Sequence, residues 1–167
     1  CALPISSAPS EYANLFDLVV GASALYGGSW QEGAGAVFAE NQAIQWLIDL
    51  AGLPKSAGGV FVQGGTIGNL SALVAARKYA QKSHPEIKRW AVACSSEAHS
   101  SIASATEIMD VDLIKVPVQA DGIMRGADVK AEIDKYRSQN SDRDICAIVA
   151  TSGTTNLGII DDLPSIG

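Results

Sequence analysis

Residues 58–79 read GGVFVQGGTIGNLSALVAARKY. A short apolar run, VFVQ (60–63), stops at a pair of glycines, and a helical pattern begins at once. The spacing predicts a short buried strand followed by a helix over 66–82. Gly64 and Gly65 let the backbone turn sharply and approach a ligand closely, and Thr66 places a hydroxyl at the helix mouth. Free N–H groups and the helix dipole favour an anion there, above all a phosphate. The same residues also suit a plain strand-to-helix turn with Thr66 as its N-cap.

Toward the C-terminus the alternation continues. WAVACS (90–95), DLIKVPV (112–118) and ICAIVAT (145–151) read as strands, and helices are expected over 99–109 and 127–139. Near-continuous apolar strands alternating with helices predict a parallel α/β sheet covered on both faces. Ligands of such sheets bind beyond the carboxyl ends of the strands. The segments there are QGGT (63–66), SSEAHSS (95–101) and TSGTTN (151–156), which carry paired glycines, many hydroxyls and one of only two histidines.

Toward the N-terminus, Tyr12, Leu15, Phe16, Val19 and Val20 stand at helical spacing after the start signals Pro9 and Ser10, predicting a helix over 10–25. A glycine-rich break covers 27–35. A second amphipathic helix is expected over 36–51, with Val37, Ile44, Leu47, Ile48 and Ala51 on one face and Gly52 and Pro54 ending it. Two such helices make a poor domain by themselves. The chain starts at Cys1 and stops in DDLPSIG just as another helix begins, so it is expected to be cut at both ends.

The totals bound the function. At 167 residues the chain is long enough for about one domain, and 47% hydrophobic with 18% charged residues is a globular composition. A net charge of −6 leaves no basic stripe for phosphate backbones, which argues against a nucleic-acid partner. The first basic residue is Lys55, so a secretory leader with a positively charged start is not expected in this stretch. The apolar stretch 18–25 is too short to span a bilayer. Of the three widely spaced cysteines, Cys94 and Cys146 lie in apolar strands and read as buried free thiols. No metal-ligand spacing is present, and a cytoplasmic setting is expected.

Two nucleotide readings fit poorly. The dinucleotide fingerprint needs GxGxxG and an acidic residue about 20 positions on. Here the glycines stand at 64, 65 and 68, and Glu97 lies over 30 residues along. A Walker loop needs GK[ST], which is absent. His99 stands at a strand end among small residues, suited either to chemistry or to capping the next helix. His84 sits in the polar loop KSHPE and reads as inert. GTTNLGIIDD (153–162) offers Thr154, Thr155, Asp161 and Asp162 at the mouth of the fourth strand, equally compatible with turn chemistry and a capping aspartate.

Taken in order, GAGAVFAENQAIQWLIDLAGLP (33–54), GGVFVQGGTIGNLSALVAAR (58–77), SSEAHSSIASA (95–105) and AIVATSGTTNLGIIDDL (147–163) resemble the group II pyridoxal-phosphate-dependent decarboxylases. That family includes the aromatic-amino-acid, histidine and glutamate decarboxylases. The resemblance runs from about residue 8 onward. It implies the type I (aspartate-aminotransferase-like) fold, with residues 1–57 as an N-terminal helical connecting segment and 58–167 as the first half of the large cofactor-binding domain, its sheet mostly parallel. It implies pyridoxal 5'-phosphate as cofactor, an L-amino acid as substrate, and a homodimer in the full-length protein.

By the same resemblance, Gly65 and Thr66 match the pair that cradles the cofactor phosphate. His99 matches the histidine that stacks on the pyridine ring and helps handle the substrate. Thr155 matches a threonine near the cofactor, and Asp161 the acidic residue that follows it. Ser7 aligns with a substrate-side residue. The Schiff-base lysine of the family follows a histidine, yet Pro85 follows His84 and Ser100 follows His99. That lysine and the aspartate pairing with the pyridine nitrogen are expected beyond Gly167, which leaves this stretch inactive alone. Rivals are another type I enzyme, such as a desulfurase or an aldehyde-forming relative, and a non-catalytic protein retaining the fold.

Overall fold

The computed structural model describes residues 8–139 and 141–167. Cys1 and Ser7 lie outside the described residues. The chain forms two compact units, one ending at Phe61 and the other spanning Val62–Gly167.

The first unit holds two helices, α1 (Glu11–Ser23) and α2 (Trp30–Leu50). Ser10 caps α1, its Oγ accepting from the Ala13 N–H at 3.2 Å. The apolar stripe expected on α1 is present but uncovered: no residue of this helix is buried, and Tyr12 and Phe16 are 77% and 64% exposed. Helix α2 begins six residues earlier than the 36 expected. Ser29 caps the helix, its Oγ accepting from the Glu32 N–H and donating to the Glu32 carboxylate. The glycine-rich stretch survives as a kink at Gly33, where an added Cβ would lie 1.6 Å from the Tyr26 carbonyl oxygen.

At its other end α2 closes as the sequence predicts. Gly52 adopts φ 65°, its N–H donates to the Asp49 carbonyl, and the Leu53 N–H donates to the Ile48 carbonyl. These two bonds make a Schellman motif.

The strand expected over 60–63 is not formed. Val60 and Phe61 are 70% and 58% exposed, and among the described residues this segment has no strand beside it. A strand needs a partner ladder for its backbone groups. Here the Phe61 N–H instead donates to Glu40 Oε1 at 2.9 Å, and residues 58–61 line an apolar cavity of about 430 Å³ with Ile44, Ile48 and Leu53.

The second unit runs α3 (Gly65–Ser83), β1 (Arg89–Ser95), α4 (Ser100–Met109), β2 (Asp112–Val116), α5 (Gly126–Gln139), β3 (Arg143–Val149) and a short α6 (Leu163–Ile166). The three strands form a parallel sheet in the order β2-β1-β3. Side chains alternate across β1. Trp90, Val92 and Cys94 pack with Leu73 of α3 and Ile102, Ala105 and Met109 of α4. Ala91 and Ala93 face the other way, onto Val129, Ile133 and Tyr136 of α5. The parallel α/β expectation with both faces covered therefore holds for this unit. The β1–β3 register slips by one residue, leaving Cys146 between the partners of Ala91 and Val92, and its thiol donates to the Ala91 carbonyl at 3.3 Å. Cys94 is buried and Cys146 half-buried, both free, and burial pushes both thiols above their ordinary pKa.

The amino ends of all three strands are tied together by charge. Arg89 Nη2 donates to Asp112 Oδ1 at 2.6 Å, and Tyr136 and Arg143 donate to Asp112 Oδ2 at 2.8 and 3.4 Å. This cluster fixes the sheet at the end opposite its carboxyl-end loops.

Candidate functional site

Helix α3 starts without a side-chain cap. Gly64 is its N-cap at φ 84°, a conformation L side chains rarely adopt, so the glycine is required there. Thr66 is thus the second helical residue and not the cap. First-turn N–H groups have no intrahelical acceptor, so those of Gly65, Thr66 and Ile67 point out of the helix end. A Cβ built on Gly65 meets nothing within 4 Å, which leaves open space over these donors.

The β1–α4 connection is held rigidly. Ser95, the buried last residue of β1, accepts from the Glu97 N–H at its Oγ and from the Ala98 N–H at its carbonyl. The Ser96 N–H continues the ladder to the Val116 carbonyl. His99 follows as the N-cap of α4, with Nδ1 accepting from the Ser101 N–H at 3.2 Å. Ser101 Oγ lies 2.9 Å from the same nitrogen, and Asn69 Nδ2 of α3 donates to that Oγ at 2.9 Å. The imidazole is exposed, while Ser101 is buried beneath it.

After β3 the chain makes a closed loop. Asp161 and Thr151 exchange backbone and side-chain bonds: the Asp161 N–H donates to the Thr151 carbonyl, and Thr151 N–H donates to Asp161 Oδ2 at 2.7 Å. Asp161 Oδ1 accepts from the Met124 N–H at 3.0 Å. Within the loop, the buried Thr154 Oγ1 accepts from the Ile159 N–H. Gly153 and Gly158 turn the chain at positive φ. The loop tip, Thr155 to Leu157, is left exposed.

These two loops, at the carboxyl ends of the neighbouring strands β1 and β3, meet around a cavity of about 260 Å³ lined by Glu97, His99, Ser100, Thr155 and Asn156 among others. His99 and Thr155, far apart in sequence, are thereby brought together. Gly65 and Thr66 do not line this cavity; Asn69, one turn further along α3, bonds Ser101 beneath His99. Asp161 is 3% exposed with both carboxylate oxygens taken by backbone donors, so its visible work is to fix the loop that carries Thr155. Asp162 caps α6 without a side-chain bond. Sequence reading missed Asn69 and Ser101. The signal available was a hydroxyl two residues after a helix-capping histidine, and an amide one turn into the glycine-led helix. Among the described residues no group of three or more His, Cys, Asp and Glu could hold a metal ion.

Parallel strands with their connecting loops gathered around a polar cavity at the carboxyl ends define a parallel α/β protein of the kind that binds ligands there. Residues 6–167 match the family described as "Pyridoxal-dependent decarboxylase conserved domain", and the chain belongs to that family. It is 37% identical over 142 residues to L-2,4-diaminobutyrate decarboxylase of Rhizobium meliloti, covering 83% of this chain and 28% of that one. To the aromatic-L-amino-acid decarboxylase of Bacillus atrophaeus it is 30% identical over 159 residues, 93% of this chain and 32% of the relative. Among solved structures it superposes with a TM-score of 0.87 at 25% identity on the glutamate decarboxylase domain of a diaminobutyrate-pyruvate transaminase and L-2,4-diaminobutyrate decarboxylase from Vibrio parahaemolyticus, covering 95% of this chain and 37% of that one. The fold is the type I pyridoxal-phosphate fold. The chain spans about a third of the length of these relatives.

Proposed function

We propose that the intact protein is a pyridoxal-phosphate-dependent decarboxylase that converts an L-amino acid to its amine and CO2. The observation that carries this reading is the cavity in which His99 and Thr155 meet at the carboxyl ends of β1 and β3. Both lie in segments matched to the decarboxylase family. Its relatives carry the names of diaminobutyrate and aromatic-amino-acid decarboxylases, which supports an amino-acid substrate.

The cofactor fits the residues present. The open space over Gly65 and the outward N–H groups of the first turn of α3 suit a phosphate. When bound, pyridoxal phosphate supplies the electron sink that decarboxylation needs. In this reading Gly65 and Thr66 would hold its phosphate, His99 would contact the cofactor and handle the substrate, and Thr155 would offer a hydroxyl from the opposite loop. Asp161 keeps that loop in place. Residues 1–57 serve as the helical connecting segment and 58–167 as the first half of the cofactor-binding domain. The intact protein is taken as cytoplasmic and as a homodimer, the latter reading supported by the exposed apolar face of α1.

The test is to purify the intact protein with pyridoxal phosphate, record its cofactor absorbance, and assay CO2 release from a panel of L-amino acids including 2,4-diaminobutyrate, aspartate, glutamate and the aromatic residues. Cofactor binding with release of CO2 and a stoichiometric amine is the expected result. Aldehyde in place of amine, or no cofactor absorbance, overturns it.

A further inference from the structure

We infer that Ser101 and Asn69 are positioning residues that hold the His99 imidazole in one tautomer, with Nδ1 as acceptor and the proton on Nε2. The inference deepens the proposed decarboxylase reading, because it states in which form His99 faces the cavity.

A backbone N–H can only donate. The Ser101 N–H lies 3.2 Å from His99 Nδ1, a long contact that favours the lone pair on that nitrogen without fixing it alone. The Ser101 hydroxyl stands 2.9 Å from the same Nδ1. It accepts from Asn69 Nδ2 at 2.9 Å, which leaves its own proton free to donate to Nδ1. Nδ1 thus faces two donors, and a proton placed on it would meet the Ser101 N–H head-on. The neutral ring is left with its proton on Nε2. Any proton His99 gives or takes during the reaction must therefore pass through Nε2.

Two further features make this more than a helix cap. An ordinary N-cap side chain needs only the backbone N–H, yet here a second hydroxyl converges on the capping atom and a third residue orients that hydroxyl. Ser101 is 3% exposed, so solvent cannot reorient its hydroxyl freely, whereas the ring it supports is exposed. Asn69 belongs to the helix whose first turn carries Gly65 and Thr66, so the side-chain path Asn69–Ser101–His99 ties that helix to the ring. Second-layer partners that fix a histidine tautomer in this way set which nitrogen is available for chemistry.

The experiment has two arms on the intact protein. In the first, cofactor-free protein carrying 15N-labelled histidine is studied by long-range 15N NMR, with the His99 signals assigned by their loss in His99→Gln. The parent should show an unprotonated Nδ1 and a protonated Nε2, Ser101→Ala should show a mixture of tautomers, and Ser101→Thr should restore the parent pattern. A parent spectrum with the proton on Nδ1, or an unchanged tautomer in Ser101→Ala, overturns the inference. In the second arm, Ser101→Ala and Asn69→Ala should each lower kcat, the former about tenfold, as loss of one hydrogen bond would, with KM and cofactor retention unchanged. In a His99→Phe background neither should have any further effect, and an undiminished effect there overturns the relay. Asn69→Ala lies on another helix and carries both arms should Ser101→Ala fold poorly. Absence of any decarboxylation by the parent defeats the proposed function alone, since the tautomer arm needs neither cofactor nor substrate.

Discussion

Gly65 and Thr66 occupy the first two positions of α3, where their N–H groups have no acceptor in the helix. Thr66→Ala in the intact protein should weaken pyridoxal-phosphate retention by about 1.5–3 kcal/mol, the worth of one hydrogen bond to a charged group. Gly65→Val should do worse. A Cβ there meets nothing within 4 Å outside its own turn of helix, so the added side chain would enter the open space proposed for the ligand. Equilibrium dialysis of the cofactor measures both, and parent-like retention in both variants would place the cradle elsewhere. His99→Phe keeps a ring while removing the nitrogens; cofactor should stay bound and kcat should fall steeply. At this scale the sequence was informative about residue type and spacing but not about direction. Thr154 and Thr155 are neighbours of identical chemistry that both border the cavity, and only the fold buries one, its Oγ1 taken by the Ile159 N–H, and leaves the other exposed. Ser101 was invisible for the same reason, as one serine in a run of serines.

The strands and helices of the second unit were legible because each β-strand is a near-continuous apolar run and each helix carries a 3.6-residue stripe. The strand expected at 60–63 failed because apolar composition marks burial, whereas a strand also needs a neighbour, which pattern alone does not supply. The charge cluster at the amino ends of the strands could not be read either, since Arg89, Asp112, Tyr136 and Arg143 meet only once β1, β2 and β3 lie side by side. Its energetics give a pH signature. The bond from Arg89 holds the Asp112 carboxylate below its ordinary value, so this contribution is complete above about pH 4 and is lost as pH falls through the lowered folded value. Burial, and then the Asp112 carboxylate it donates to, push the Tyr136 phenol up to about 12. That contribution is present below about pH 10 and lost as pH rises toward 12. Urea unfolding of the intact protein should therefore show Asp112→Asn less stable by about 1–2 kcal/mol at pH 7, a figure discounted for the partial exposure of Arg89. Tyr136→Phe should flatten the stability loss between about pH 10 and 12. Because the cluster sits at the far end of the sheet from His99, neither change should alter KM at neutral pH.

Residues 1–167 spread a family domain over roughly a third of its relatives' length, and the lysines decide what this stretch can do unaided. Covalent capture of pyridoxal phosphate needs an amine held over the phosphate cradle. Lys55 follows α2, Lys78 and Lys82 lie in the C-terminal half of α3, Lys88 precedes β1, and Lys130 and Lys135 ride on α5. Lys115 alone stands near the carboxyl end of a strand, where it borders a cavity with Cys94 and His99. It is paired beside Cys94 in the ladder, with α4 between it and the helix mouth in sequence, and it follows Ile114 rather than a histidine. The outer edge of β3 has no strand beside it among the described residues, and Ile148 is 37% exposed there. An apolar open edge of this kind invites association. Expressed alone, residues 1–167 should therefore self-associate with rising concentration in light scattering. Incubation with pyridoxal phosphate, borohydride reduction and peptide mass spectrometry should reveal only sparse labelling scattered over several lysines. A stoichiometric adduct at Lys115, or at any other single lysine, would mean that this stretch already holds a working amine.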